Sequence, residues 1–187
     1  MYTGKMTVEE YRPEWREALR SIHMATASEH ARADEKHGKM SLALYCDEYL
    51  DHETVYVLLD EERIPRGYIL CAKDAMVWAE NMAPYIEEIK ALGPPYDRRA
   101  EDTLREYELA YDEYPAHLHI DILEEYTGSH HGSMLMETLL ARLKKDHVRG
   151  VCLGASKSNV RAIGFYRHFG FQVLAEDEYG CFFGLKL

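Results

Sequence analysis

Residues 114–132 (YPAHLHIDILEEYTGSHHG) constrain the fold of this chain more than any other stretch. Apolar and polar residues alternate at the start of the stretch, and this period of two predicts a strand over 116–123. A short acidic segment and a loop with two glycines follow, and from Ser133 the apolar residues recur with the period of a helix. Unpaired N–H groups and the helix dipole converge at such a strand–loop–helix junction. We therefore predict an anion-binding turn here and interpret it as a grip for a pyrophosphate.

Length and composition limit the remaining possibilities. A chain of 187 residues with 47% hydrophobic residues can bury one core and is short for two, so we expect a single domain over residues 1–187. A net charge of −11 argues against nucleic acid or an anionic membrane as partner. No run of eighteen apolar residues and no signal-peptide core are found, which predicts a soluble, cytoplasmic protein. The four cysteines are widely spaced among apolar residues and are expected to be buried thiols.

Hydrophobic periodicity predicts the order of the elements. Strands are expected at 5–11, 54–59, 67–72, 151–155, 171–175 and 181–187, and helices at 12–27, 42–50, 76–92, 97–112, 133–146 and 159–169. Pro84 should kink or divide its helix, and the polar residues 28–40 are expected to form a loop. Residues 75–113 are interpreted as a helical insertion, because their apolar face is too small to stand alone. The fold class predicted is α/β, with an α+β mixed sheet and one parallel crossover in its middle.

A second informative stretch is GASKSNVRAIGFYRHFGF, residues 154–171. Ser156 or Ser158 is expected to cap its helix, and Gly170 to end it. Asn159 and Tyr166 are two turns apart and should share a face, which then offers an amide and a phenol along one line.

At this point the chain resembles the GNAT N-acetyltransferase superfamily. The resemblance lies in IDILEEYTGSHHGSMLMETLL (120–140) and in SKSNVRAIGFYRHFGF (156–171), which matches the family pattern N-x-x-A-x-x-F-Y-x-x-x-G-F at every named position. It implies a GNAT-like fold with a central, mostly antiparallel sheet, one parallel and splayed strand pair, and helices on both faces. It also implies that acetyl-CoA (coenzyme A) is the cofactor and lies between the strands at 116–123 and 151–155.

The resemblance also implies which residues act. Tyr166 would protonate the leaving thiolate, a role that suits a phenol because it stays protonated at neutral pH. Two loop positions depart from the family: Thr127 stands in place of arginine or glutamine, and His130 in place of a glycine, although histidine tolerates positive φ. The cofactor-binding residues implied are Ile122 and Leu123 of the strand, Thr127, Gly128, Ser129, His130, His131, Gly132 and Ser133 of the loop and helix start, and Asn159, Ala162, Phe165 and Tyr166 of the next helix.

A general base is predicted on the central strand. Asp121 and His119 share the strand face close to the expected reaction centre, and either could take a proton from an amine. The alternative is that the two form a satisfied buried network. A metal site at His117-x-His119 has no evident third ligand, and His130-His131 is interpreted as a surface pair on the loop. The tyrosines of the insertion could line an acceptor pocket or form the packed face of a helix: Tyr85, Tyr96, Tyr107, Tyr111 and Tyr114.

The resulting expectation is an acetyl-CoA-dependent N-acetyltransferase that acts by direct attack in a ternary complex. Its acceptor would be a small-molecule or peptide primary amine, with no metal, nucleic acid or membrane involved. The alternative is a catalytically silent module on the same fold that binds acetyl-CoA or a partner. A nucleotide-binding protein is a third hypothesis, although the loop lacks G-x-G-x-x-G and a P-loop ending. An exposed final strand could pair two copies into a homodimer.

Overall fold

A computed structural model describes residues 4–187, apart from the side chains of Ala100, Glu101, Glu106 and Leu109. Within this range the strands are β1 (Thr7–Glu10), β2 (Thr54–Leu59), β3 (Pro65–Ala72), β4 (Ala116–Ile122), β5 (Gly150–Ser156), β6 (Gln172–Glu176) and β7 (Gly180–Lys186). The helices are α1 (Arg16–Thr26), α2 (Glu29–Ala33), α3 (Glu35–Leu42), α4 (Glu48–His52), α5 (Ala75–Asn81), α6 (Ala83–Ala91), α7 (Tyr96–Ala110), α8 (His131–Lys145) and α9 (Val160–His168). Shorter 3₁₀ segments are Pro13–Trp15 and Glu124–Tyr126, and a π-helical segment, Ala43–Asp47, joins α3 to α4.

The strands form one mixed sheet in the order β1-β2-β3-β4-β5-β7-β6. Neighbouring strands run antiparallel except β4 and β5, which are parallel. This parallel pair is short, because Cα partners are found at Ala116↔Val151 and His117↔Cys152 and no further along. Beyond these residues the two strands separate and leave a gap in the middle of the sheet. The predicted mixed sheet with one splayed parallel pair is confirmed.

Helices cover both faces of the sheet and form two hydrophobic cores. Helices α1 and α3 to α7 pack on one face, around residues such as Tyr49 and Trp78. Helices α8 and α9 pack on the other, around residues such as Leu139. Side chains alternate along a strand, so β4 sends its polar residues toward the first face and its apolar residues toward the second. The chemistry-bearing side chains of β4 therefore lie on the face opposite α8 and α9.

Except in one region, the predicted elements are present with ends that differ by two residues or fewer, provided that the 3₁₀ segment Pro13–Trp15 is counted with α1. The loop predicted over 28–40 is wrong, because α2 and most of α3 lie there. Each of these helices has its own N-cap: Ser28 Oγ accepts a hydrogen bond from Ala31 N at 3.2 Å, and Asp34 Oδ1 accepts one from His37 N at 2.9 Å. Such caps begin short helices whose periodicity is too weak to be seen in the sequence.

Pro84 divides its segment as predicted, since α5 ends at Asn81 and the proline lies in the first turn of α6. The expectation of an exposed final strand is wrong. Strand β7 lies between β5 and β6, because the last hairpin folds back and puts β6 at the edge, where all five of its residues are exposed. All four cysteines are buried free thiols, as predicted. Among residues 4–187 no helix has the length and apolarity that crossing a membrane requires.

Candidate active site

The gap between β4 and β5 exposes backbone groups of β4. Leu123 N donates to Arg66 O at 3.0 Å, so the odd-numbered residues of this strand bond to β3. In an antiparallel pair the intervening residues point their N–H and C=O groups to the opposite edge. Ile122 therefore presents its backbone to the gap that β5 has left, whereas the N–H of Leu123 is already taken.

The loop after β4 turns sharply through three consecutive residues with positive φ. These residues are Gly128, Ser129 and His130, with φ of 81°, 46° and 62°, and His130 is the N-cap of α8. His130 is exposed and adopts a left-handed conformation that histidine tolerates. His131 is buried instead, and its Nδ1 bonds to Tyr126 O at 2.8 Å. The interpretation of His130-His131 as a surface pair is therefore wrong for His131, because that side chain braces the loop from inside.

The start of α8 has the features of an anion site. The first N–H groups of a helix have no intrahelical acceptor, and the hydrogen bonds of the described residues include none from Gly132 N or Ser133 N. A Cβ at Gly132 would come to 3.3 Å from Cε2 of Phe165, so this end of α8 lies against α9. Two free N–H groups on a 15-residue helix fit a diphosphate.

Arg161 adds a positive charge to the corner formed by the loop at Thr127, the start of α8 and the first turn of α9. The sequence analysis did not identify this residue. Its Nη1 donates to Thr127 Oγ1 at 3.0 Å, from the first turn of α9 across to the loop. Thr127 itself donates to Glu124 O at 2.8 Å and so stays close to the turn. Arg161 lies within the sequence stretch that predicted α9, but its proximity to position 127 depends on how α9 packs and could not be predicted from that stretch. Position 127 has threonine where the family has arginine or glutamine, and Arg161 places a guanidinium beside it.

Asn159 caps α9 directly. Its Oδ1 accepts a hydrogen bond from Ala162 N at 3.1 Å, so the predicted caps Ser156 and Ser158 are wrong. The two serine hydroxyls bond to each other at 2.8 Å instead. Asparagine is among the strongest N-cap residues, and it stands immediately before the helix. The carboxamide NH₂ group of Asn159 has no partner among the described residues and can bond to a ligand.

Tyr166 lies on the α9 side of the sheet with 8% of its surface exposed. Its ring packs against those of Phe171 and Phe183, at centroid distances of 5.8 and 5.9 Å. Burial raises the pKa of Tyr166, and the negative charge of Asp121 raises it further. The phenol is therefore protonated at neutral pH and able to donate. As predicted, Gly170 ends this helix, with φ of 88°.

The opposite side of the gap opens into a cleft of 1310 Å³. Its walls come from β4, β5, α7 and the β6–β7 hairpin, and both His119 and Asp121 face it. Of the five tyrosines that could line an acceptor pocket, Tyr107 and Tyr114 line this cleft. The hydroxyls of the other three donate to carboxylates instead: Tyr85 to Asp51, Tyr96 to Asp34 and Tyr111 to Asp74. The carboxylates of the wall are Asp112, Glu113, Asp121, Glu176 and Asp177, and its aromatic rings are Tyr45, Tyr107, Tyr114, Tyr179 and Phe182.

The two histidines of β4 are poor bases. Burial lowers the pKa of His119 to about 3, and its buried Nε2 has no hydrogen-bond partner among the described residues. Burial also lowers the pKa of His117, whose Nδ1 bonds to Tyr49 Oη at 2.8 Å and whose ring stacks on Tyr107 at 3.8 Å. Among the described residues no group of three His, Cys, Asp or Glu side chains is arranged to hold a metal ion. Of the two side chains predicted as general base, Asp121 is therefore the better candidate, because His119 is too weakly basic.

Asp121 is held from behind by two residues that sequence reasoning missed. Tyr68 Oη donates to Asp121 Oδ2 at 2.6 Å, and His23 Nδ1 lies 3.2 Å from the same hydroxyl. His23 Nε2 lies 2.8 Å from Ser41 Oγ. No local pattern in the sequence points to these residues, since Tyr68 is 53 positions and His23 98 positions from Asp121.

Known proteins are similar to this chain in sequence and in fold. A model described as the acetyltransferase (GNAT) family matches residues 8–171. The solved structure of a protein named SsHAT is 28% identical, with a TM-score of 0.80 over 97% of this chain and 98% of that one. A putative phosphinothricin N-acetyltransferase is 16% identical, with a TM-score of 0.59 over 98% and 99%. The yncA protein of Salmonella typhimurium, a putative acetyltransferase solved with its cofactor acetyl-CoA, is 14% identical, with a TM-score of 0.56 over 97% and 94%.

Proposed function

We propose that this chain, which belongs to the acetyltransferase (GNAT) family, transfers the acetyl group of acetyl-CoA to a primary amine by direct attack in a ternary complex. Acetyl-CoA-dependent acetyl transfer is the chemistry of the family. The amine acceptor and the direct attack are the parts that we propose. The observation that carries them is the gap between β4 and β5, which has a protonated phenol on one side and a carboxylate in an open cleft on the other.

The cofactor end of the proposal rests on the corner between the loop and α9. The N–H groups of Gly132 and Ser133, the dipole of α8 and the guanidinium of Arg161 favour a diphosphate at this point. The backbone of Ile122 and the carboxamide of Asn159 would contact the rest of the cofactor along the gap. When bound, acetyl-CoA supplies an acetyl group activated as a thioester.

The acceptor end rests on the charge of the cleft. Five carboxylates line the wall, against Arg99 and the two lysines that pair with Glu113 and Glu176. Negative potential and aromatic rings together favour a cation over an anion. An amine that arrives as an ammonium ion matches this wall, whereas an acceptor with a free carboxylate would be repelled by it.

In the proposed reaction each side chain has one task. Asp121 accepts a proton from the acceptor nitrogen, which becomes nucleophilic once it is neutral. The backbone N–H of Ile122 favours negative charge on the acetyl oxygen. Tyr166 would donate its proton to the sulfur as the carbon–sulfur bond breaks, and solvent would restore it. The second proton, which the nitrogen has to lose to become an amide, would pass to solvent.

Calorimetric titration with acetyl-CoA, followed by a thiol-release assay, tests the proposal. Tyramine, spermidine and lysine amide serve as acceptors, with glutamate as an anionic control. We expect micromolar binding, turnover of at least one amine, none of glutamate, and loss of turnover in Asp121→Asn with binding retained. Binding without turnover of any amine would favour the catalytically silent module. Absence of binding in the wild type and its gain in Thr127→Arg would mean that the loop has lost its grip on the cofactor.

Three further expectations remain predictions. A single domain and a cytoplasmic location are predicted from composition. A homodimer would use β6, the exposed edge strand, and light scattering after gel filtration would measure its mass.

A further inference from the structure

A chain of hydrogen bonds runs from α3 to the cleft and has one possible polarity. Tyr68 has a single hydroxyl proton, which it donates to Asp121 Oδ2 at 2.6 Å. His23 Nδ1, 3.2 Å from that hydroxyl, must then carry a proton and donate to Tyr68 Oη. Burial lowers the pKa of His23, so the ring is neutral and Nε2 accepts from Ser41 Oγ at 2.8 Å. The donors therefore point in order from Ser41 through His23 and Tyr68 to the carboxylate.

The chain holds one oxygen of Asp121 and leaves the other available. Oδ1 has no hydrogen-bond partner among the described residues, and 29% of the Asp121 side chain is exposed where it lines the cleft. The support behind it is buried, since Tyr68 is fully buried and lies directly opposite Asp121 in the β3–β4 register. His23 is 6% exposed.

Within the described residues, the groups other than Asp121 whose charges act on His23 are paired with each other. Asp47 and Arg20, which affect the charge of His23, form a salt bridge with each other. Burial raises the pKa of Cys46, so this thiol is uncharged, and His119 beside Asp121 is also uncharged at neutral pH. Asp121 is thus the charged group toward which the donors of the chain are aligned.

We propose that Tyr68 and His23 are positioning residues, which fix the Asp121 carboxylate so that Oδ1 faces the acceptor amine. This inference rests on the proposed function, since it needs Asp121 to act on an acceptor. Tyr68 is fully buried behind the carboxylate, whereas His23 borders the cleft but has both ring nitrogens within hydrogen-bond distance of Tyr68 and Ser41. A base held in one orientation is effective because misplacement by about 1 Å can reduce a rate about 100-fold.

The chain offers a matched control for this role. Tyr49 is also fully buried, and its hydroxyl also bonds to a buried histidine, His117, at 2.8 Å. No contact of Tyr49 or His117 with Asp121 is found within the described residues. Tyr49→Phe therefore removes the same kind of buried hydrogen bond as Tyr68→Phe without removing support from the carboxylate.

The first experiment needs no turnover. Nitrogen-15 NMR of histidine-labelled protein, with His23 assigned through His23→Gln, should show a neutral His23 ring with the proton on Nδ1 at pH 7. Tyr68→Phe should remove that preference, whereas Tyr49→Phe should leave it. A proton on Nε2 in the wild type would reverse the polarity of the chain and overturn the inference.

The second experiment is a double-mutant cycle with acetyl-CoA and the fastest acceptor among tyramine, spermidine and lysine amide. Tyr68→Phe should lower kcat by about 10- to 100-fold without changing the KM for acetyl-CoA. In the Asp121→Asn background Tyr68→Phe should cost nothing more, and Tyr49→Phe should change kcat less than about 2-fold in either background.

The outcomes separate the two proposals. Equal losses from Tyr68→Phe with and without Asp121 would overturn the positioning role and leave the proposed function standing. Binding of acetyl-CoA with no turnover of any amine would overturn the proposed function and the catalytic purpose of the chain, while the NMR result would still decide whether the chain of hydrogen bonds exists. Circular dichroism melts of each variant identify losses that come from unfolding.

Discussion

Arg161→Ala should weaken acetyl-CoA binding even though the side chain at position 161 is exposed. In the structure Arg161 bonds to Thr127 at 3.0 Å, beside the free N–H groups that begin α8. A guanidinium in this place can bond to a phosphate with charge assistance, which contributes about 1.5–3 kcal/mol when it is shielded. Because the side chain is exposed and screened, we take about 1–2 kcal/mol, which corresponds to about a 5- to 30-fold rise in Kd.

The assay is calorimetric titration with CoA and with 3′-dephospho-CoA at low and high salt. If Arg161 contacts the diphosphate, both ligands should lose the same factor on Arg161→Ala. The loss should shrink as salt is added, because exposed charges are screened. Arg161→Lys should retain part of the affinity, since it keeps the charge and loses the planar donors.

Arg167→Ala is the control, because this arginine is exposed on the same helix and its removal changes the net charge equally. A further arm places Thr127→Arg in both backgrounds. Thr127→Arg should restore the affinity for CoA in the Arg161→Ala variant. It should add little affinity to the wild type, because the guanidinium of Arg161 already lies at this position. Equal weakening by Arg161→Ala and Arg167→Ala would refute the local contact and leave only an effect of overall charge.

Three other perturbations test other parts of the structure. Tyr166→Phe should lower kcat about 100-fold while calorimetry shows unchanged acetyl-CoA binding, and an unchanged kcat would exclude the phenol as the acid. Gly150→Ala should lower the free energy of unfolding by about 2–4 kcal/mol in urea, because its Cβ would come to 2.5 Å from the Glu113 carbonyl oxygen. Gly154→Ala on the same strand should change it by less than about 0.5 kcal/mol, because no atom of the described residues lies within 4 Å of its Cβ, and equal losses would contradict the steric argument. Burial and the charge of Glu53 raise the pKa of Glu48 to about 8. The folded state therefore keeps a proton that the unfolded state releases between pH 4.5 and 8, so stability falls as pH rises, by up to about 1.4 kcal/mol per unit. Glu48→Gln should remove this dependence, and a difference from wild type that does not vary with pH would show that Glu48 is ionised in the fold.

Local patterns in the sequence were enough to predict most of the fold. The alternation before the glycine loop indicated β4, and the apolar repeat after it indicated α8. Pro84 and Gly170 act where they stand, because each restricts the backbone at its own position. The short helices over 28–40 were missed because their stability comes from caps and from packing rather than from periodicity.

The candidate active site was likewise predicted only in part from local patterns in the sequence. The strand, the loop and the α9 pattern were recognisable in the sequence, because each is continuous in the chain. The relation between Arg161 and Thr127 spans 34 positions, and that between Tyr68 and Asp121 spans 53, so neither leaves a local signal. The weak basicity of His119 has the same origin, since burial by distant elements sets its pKa.

The order of the residues alone thus sets the local conformations and supplies the residue types available for chemistry. The tertiary structure decided which of these groups meet, which are dry and which face the cleft. The physical reason is that hydrogen bonds and desolvation act over a few ångströms in space, whereas periodicity and capping act over a few residues in the chain.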